Sequence, residues 1–180
     1  FAKKMDLISW DNYPAWDKGR NEDEALEVAF VHDAFRSMKN GQPFFMMEST
    51  PSLVNWHDVN KLPKSGMQEL SAIQAIAHGS DSVQYFQWRK SRGSVEKFHG
   101  AVVDHVGTEH TRIFKAVQKT GQTLKAIDEV AGSFVQARVA ILYDWESRWA
   151  LDDSQGFQKD KRYSQTCVDY YTPLWKRGIA

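Results

Sequence analysis

Cysteine is almost absent from this sequence of 180 residues, with Cys167 standing alone. A single thiol excludes an internal disulfide and a cysteine zinc cluster within the chain. It fits a reducing compartment, so a cytoplasmic location is expected. Excess charge of either sign is also missing. Lys and Arg number 23 and Asp and Glu 23, a formal net charge of zero. That argues against a general nucleic-acid binder, because such proteins concentrate positive charge. No apolar run reaches membrane-spanning length, and no charged, apolar, small-residue leader opens the chain. Nucleic acid and membrane are therefore not expected partners. The sequence also has no glycine-rich phosphate loop and no H-E-x-x-H pair, and neither Ser49 nor Ser65 sits in a nucleophile elbow. It opens on Phe1 rather than methionine and runs at once into a strand-like segment, as a fragment or a processed product would.

What the chain has is aromatics, at 13% with seven Trp. Flat rings in excess of core needs line carbohydrate or peptide clefts, although ordinary core packing accounts for many of them. The most informative stretch is Phe44–Trp56, FFMMESTPSLVNW. An apolar run of strand length ends on one carboxylate, Glu48, followed by a small polar turn and then Trp56. A lone acid there is costly unless it is paired or opens into a cleft. In α/β folds the carboxyl ends of parallel strands carry ligands and catalysis.

The periodicities predict strands over Met5–Trp10, Pro43–Met47, Ser82–Trp88 and Arg138–Tyr143. Between them, Asp11–Asn12–Tyr13–Pro14 reads as a turn. A first helix starts at an Asn21/Glu24 capping box, with Leu26, Phe30, Ala34 and Met38 at helical spacing. A second is capped by Ser65 and Gln68, with Leu70, Ile73 and Ala77 inward. A third covers about Thr108 to Ala131, with Ile113, Val117, Thr120, Leu124 and Ile127 on one face. Gly121 weakens that helix by about 1 kcal/mol relative to alanine. Beyond Glu146 the chain reads as helical, with Tyr163, Cys167, Tyr170 and Leu174 on one face and Pro173 ending or kinking it. Strand and helix alternate about four times, as in a parallel α/β architecture. The pattern fits either a doubly wound sheet or part of a (β/α)8 barrel. The long loops after Glu48 and Trp88 favour the barrel.

Three groups carry chemistry: Glu48 with Trp56; Phe86, Trp88 and Arg89; and the loop from Glu96 through His99 to Asp104 and His105. Glu96 and His99 can each fix a sugar hydroxyl, one as acceptor and one as donor, if both face a cleft. Otherwise they are a solvated glutamate and a histidine bonded to backbone. His99, Asp104 and His105 are metal-ligand types without a ligand spacing, and His57–Asp58 is adjacent rather than face-paired, so no metal site is expected.

The segments MESTPSLVNW, AHGSDSVQYFQWRKSRGSVEKFHGAVVDH and ARVAILYDWESRWAL resemble glycoside hydrolase family 42 β-galactosidases, and the similarity runs through essentially the whole chain. The resemblance implies the last strands and helices of a (β/α)8 TIM barrel over 1–132. The start of a Rossmann-like α/β trimerisation domain would then occupy 137–180. It implies that Glu48 is the catalytic nucleophile of a retaining enzyme and that Trp56, Phe86, Glu96 and His99 line the galactose subsite. The family's acid/base glutamate follows a strand upstream of these residues, so the 180 residues alone are not expected to be active. The resemblance implies a galactoside substrate, a homotrimer, no cofactor held by this chain and an upstream structural zinc site in the family. The competing expectation is a non-catalytic α/β module that binds sugar or assembles with a partner chain.

Overall fold

The computed structural model describes residues 2–15, 20–156 and 159–180. It divides into two units, residues 1–134 and 135–180. In the first, three strands pair side by side in the order β1 (Ser9–Asp11), β2 (Phe44–Glu48) and β3 (Ser80–Val83), all parallel. Helices α1 (Asn21–Ser37) and α2 (Met67–Ala77) connect them, and α3 (Arg112–Ala126) follows. Parallel neighbours need such crossovers, because a short turn cannot return the chain to the same end of the sheet. The chain is thus α/β, with parallel strands joined by helical crossovers.

β2 is the middle strand and carries the core. Phe44 and Met46, two residues apart and so on one face, are almost fully buried. The alternation then breaks. Trp10 pairs with Met46 but Asp11 pairs with Glu48, so Met47 is an extra residue in β2. Such a bulge turns the next side chain away from the face it would otherwise share. Glu48 thereby leaves the side occupied by Phe44 and Met46.

The sequence-based limits of the strands shift for reasons visible in the backbone. β1 begins at Ser9 rather than Met5 because side chains, not a ladder, take the Met5 and Asp6 carbonyls. Lys39 Nζ donates to Met5 O and, at 3.0 Å, to Asp6 O, while Gln42 Nε2 reaches Asp6 O at 3.0 Å. β3 begins at Ser80 and stops at Val83, so most of the expected Ser82–Trp88 strand is irregular. β2 ends at Glu48, and beyond it the chain pairs with loops instead: Phe86 N donates to Ser49 O at 2.8 Å and Val102 N to Gln87 O at 3.0 Å.

The helix faces also move. In α1 the buried set is Leu26, Val28, Ala29, His32 and Arg36, and Arg20 is the N-cap. Glu24 does not close a capping box, since its Oε1 accepts from Ala15 N at 3.0 Å. In α2 the buried residues are Ser71, Ala72 and Ala75, while Leu70 is exposed. Small side chains let the helix lie close to the sheet, which overrides the larger residues in choosing the face. Gly66, in a left-handed conformation, is its N-cap in place of Ser65. The expected stripe on α3 holds: Thr120 is buried and Ile113, Val117, Leu124 and Ile127 are half-buried. Thr111 caps that helix by accepting from Phe114 N at 3.2 Å, and Gly121 does not break it.

In the second unit, α4 (Trp145–Asp153) is capped by Asp144, whose Oδ1 accepts from Ser147 N at 2.7 Å. α5 (Tyr163–Trp175) carries Pro173 in its last turn and buries Cys167 and Tyr171, not the exposed Tyr170. Arg138–Tyr143 is not a strand. Among the described residues this unit contains no strand to pair with it; the stretch is largely exposed, and Arg138 N donates to Ala180 O at 2.9 Å. Among the described residues no helix is long and apolar enough to cross a membrane.

One buried polar group has a consequence for pH. His32 is fully buried between Trp10 and Phe44, with ring centroids at 5.1 and 5.4 Å. Burial, and then the charge of nearby His78, lowers its pKa to about 3. The unfolded chain takes up that proton near pH 6.5, whereas the folded one resists it. The stabilisation is therefore complete above about pH 6.5 and is lost as pH falls toward 3. Denaturant titrations between those limits should show stability falling by up to about 1.4 kcal/mol per pH unit from this group. His32→Leu should flatten the slope; an unchanged slope would assign the acid sensitivity to other residues.

Candidate active site

Glu48 lies at the carboxyl end of β2, half-buried. Its Oε2 accepts a hydrogen bond from the Tyr13 hydroxyl at 2.7 Å. Tyr13 follows β1 by two residues, at the same edge of the sheet, and Asn12 N donates to Glu48 O at 2.9 Å. Tyr13 therefore belongs to the site, although the sequence reads as a plain turn there. The available signal was positional: it is an aromatic hydroxyl just past the end of a strand parallel to β2. Its pKa lies well above that of an ordinary phenol, through burial first, then the bond to Glu48 and the charges of Glu48, Asp11 and Glu96. Tyr13 is accordingly a lasting donor. Asp11, beside Glu48 in the ladder, has a raised pKa through burial and the Glu48 charge.

Around this pair the structure gathers rings. Tyr13 meets Trp56 edge-on at 4.9 Å and His99 edge-on at 6.0 Å. His99 in turn meets Phe86 edge-on at 4.9 Å and Trp56 at 5.6 Å. Trp56 is 54% exposed, so one side of the group is open to solvent. His99 is fully buried, and its Nδ1 lies 3.0 Å from Gly100 O. A carbonyl only accepts, so Nδ1 carries a proton, and Nε2 has no partner among the described residues. In the neutral ring that nitrogen is an acceptor, not the donor expected of His99. Glu96 is half-buried; Asn55 Nδ2 donates to its Oε2 at 3.4 Å and Gln87 Nε2 to its backbone carbonyl at 3.2 Å. Its charge reaches Tyr13. Glu48, Trp56, Phe86, Glu96 and His99 thus form one neighbourhood around Tyr13.

The rest of the two downstream groups serves the loop. Trp88 is 66% exposed and lies 6.5 Å from Phe114, and Arg89 bridges Val103 through its backbone. His105 Nε2 is 2.7 Å from Ser91 O. Asp104 pairs with Lys90 at 3.4 Å. Burial pushes its pKa up, but the His105 amide and Lys90 together bring it below the usual carboxylate value. Among the described residues no group of three or more His, Cys, Asp or Glu side chains could hold a metal ion.

The family model described as beta-galactosidase matches residues 1–127, and the one described as beta-galactosidase trimerisation domain matches 137–180. The chain belongs to the glycoside hydrolase family 42 β-galactosidases. β-Galactosidase GalA of Bacillus licheniformis is 59% identical over 99% of this chain and 27% of its own length. β-Galactosidase Pbg of Clostridium perfringens is 54% identical over 99% of the chain and 26% of its own. Among solved structures, a catalytic mutant of a family 42 β-galactosidase from G. stearothermophilus superposes with a TM-score of 0.96 at 56% identity, covering 100% of this chain and 27% of that one. A β-galactosidase from a Rahnella species gives 0.96 at 54% identity, over 99% and 27%. The chain spans about a quarter of the length of the curated relatives it matches.

Within this family 42 chain, Gly100 fixes how closely the His99 loop can approach the turn after Glu48. A Cβ there would lie 2.2 Å from Ser52 Oγ and 2.7 Å from Leu53 N. Gly100 N also donates to Leu53 O at 2.8 Å. Gly100→Ala should destabilise the protein by about 1–3 kcal/mol, the usual range for overpacking, and displace the His99 ring. Denaturant midpoints and a crystal structure of the variant check this; an unchanged midpoint with His99 in place would mean that the loop gives way freely.

Proposed function

We propose that these residues are part of a retaining β-galactosidase that hydrolyses terminal, non-reducing β-D-galactose residues, with Glu48 as the nucleophile. The observation that carries the reading is the Glu48 carboxylate, turned out of the core at the end of the middle strand and held through one oxygen by Tyr13 at 2.7 Å. That bond orients the carboxylate and leaves its second oxygen for attack. Glu48 attacks the anomeric carbon and forms a covalent galactosyl–enzyme intermediate. A second carboxylate, supplied from outside these residues, protonates the departing oxygen and then activates water; such pairs stand about 5–5.5 Å apart in retaining enzymes. Trp56 and Phe86 offer ring faces or edges to the apolar face of the sugar. Glu96 accepts hydrogen bonds from its hydroxyls, and the His99 ring, packed against Trp56 and Phe86, backs the same subsite. No cofactor is assigned to these residues, since carboxylates carry the chemistry.

The trimerisation description of the matched model supports a homotrimer assembled through residues 137–180. The single cysteine is in keeping with a cytoplasmic enzyme.

In the full-length enzyme, Glu48→Gln should lower turnover by several orders of magnitude while the fold persists. A mechanism-based fluoro-galactoside should label the peptide containing Glu48, read by mass spectrometry. Label on Glu96 instead would overturn the assignment, and binding of galactose without any turnover would favour the non-catalytic module.

Glu96→Ala and His99→Ala, made separately, should each reduce kcat/KM on galactosides by an amount equivalent to roughly 1–3 kcal/mol. Wild-type kcat/KM in both variants would remove these residues from the galactose site.

A further inference from the structure

The chain that follows Glu48 reaches across to the loop beyond β3 through the side chain of Asn55. Its Nδ2 donates to Val95 O at 3.2 Å and to Glu96 Oε2 at 3.4 Å. An amide nitrogen carries two protons, enough for both bonds. The neighbours also fix which way the amide lies. A carbonyl and a carboxylate only accept, so Oδ1 turned toward them would face two acceptors. The bond to Glu96 is at the long end for N–H···O, as hydrogen bonds around a reacting site often are until substrate tightens them.

Both partners stand on fixed backbone. Asn55 lies between Val54, which is buried, and Trp56, whose ring meets Tyr13 and His99. Just before them, Leu53 O accepts from Gly100 N at 2.8 Å and from Thr50 Oγ1 at 2.9 Å. On the other loop, Glu96 O accepts from Gln87 Nε2 at 3.2 Å and from His99 N at 3.1 Å. With its main chain held there, the freedom left to Glu96 is rotation within its own side chain. Asn55 acts on that freedom.

We propose that Asn55 is a positioning residue for galactose binding: it holds Glu96 by Oε2 and so presents Oε1 to a sugar hydroxyl. This rests on the reading of Glu96 as a galactose ligand and adds the group that sets the direction of its carboxylate. Holding the carboxylate in advance spares the sugar the rotamer entropy that a freely turning glutamate loses on binding. The same contact ties the chain that carries the nucleophile to the loop that holds the sugar.

A double-mutant cycle in the full-length enzyme tests it, read as kcat/KM on nitrophenyl β-galactoside. Asn55→Ala should lower kcat/KM about 10-fold, the lower end for a hydrogen bond to a charged group. In the Glu96→Ala background the same substitution should change it less than about twofold, because its route to the sugar is gone. An equal loss in both backgrounds is what a merely structural role would give, and it overturns the proposal, as does full kcat/KM in Asn55→Ala. Full kcat/KM in Glu96→Ala alone is a different failure, which removes Glu96 from the galactose site and this proposal with it. A crystal structure of the wild-type enzyme with galactose decides the matter even if the variants do not fold. Oε1 on the sugar with Oε2 on Asn55 is expected; a Glu96 carboxylate that binds the sugar while turned away from Asn55 overturns the proposal.

Discussion

Parallel pairing on both sides of β2 is the constraint from which the rest of this molecule follows. It delivers the carboxyl ends of three strands to one edge, so that residues from separate stretches of sequence meet there without any contact of their own to draw them together. Tyr13 arrives from the end of β1, Glu48 from β2, and the loop beyond β3 carries Phe86, Glu96 and His99. The extra residue at Met47 completes the arrangement, because an unbroken alternation would have directed the acid toward the side that buries Phe44 and Met46.

The edge is electrostatically uneven. Glu48, Asp11 and Glu96 all raise the pKa of Tyr13, which means that three carboxylates share one phenol as neighbour. Like charges at short range oppose one another, and a proton donor among them relieves part of that cost. The rings of Trp56, His99 and Phe86 wall off one side, lowering the local dielectric and strengthening the hydrogen bond to Glu48.

Much of this was legible in the sequence, and the failures have physical causes. The apolar run ending on Glu48 gave the middle strand nearly to the residue, and the quoted motifs gave the family. Tyr13 was missed because a turn and a site residue look alike until strand order is known. The faces of α1 and α2 were misjudged because hydrophobic spacing ignores two things seen here: buried polar residues such as His32 and Arg36, and the close approach that Ala72 and Ala75 permit. Arg138–Tyr143 has the composition of a strand, but composition cannot supply a neighbour. The expected length of the third strand failed for a related reason, since β2 ends at Glu48, and Gln87 and Trp88 pair instead with the loop around Gly100.

The shielding of Tyr13 bears on how this edge of the sheet responds to alkali. An ordinary phenol would begin to ionise near pH 10 and withdraw its hydrogen bond from the carboxylate beside it. With its ionisation displaced upward by burial and by three negative neighbours, Tyr13 stays protonated across that region. The hydrogen bond to Glu48 is therefore kept in alkali where an ordinary phenol would have given it up.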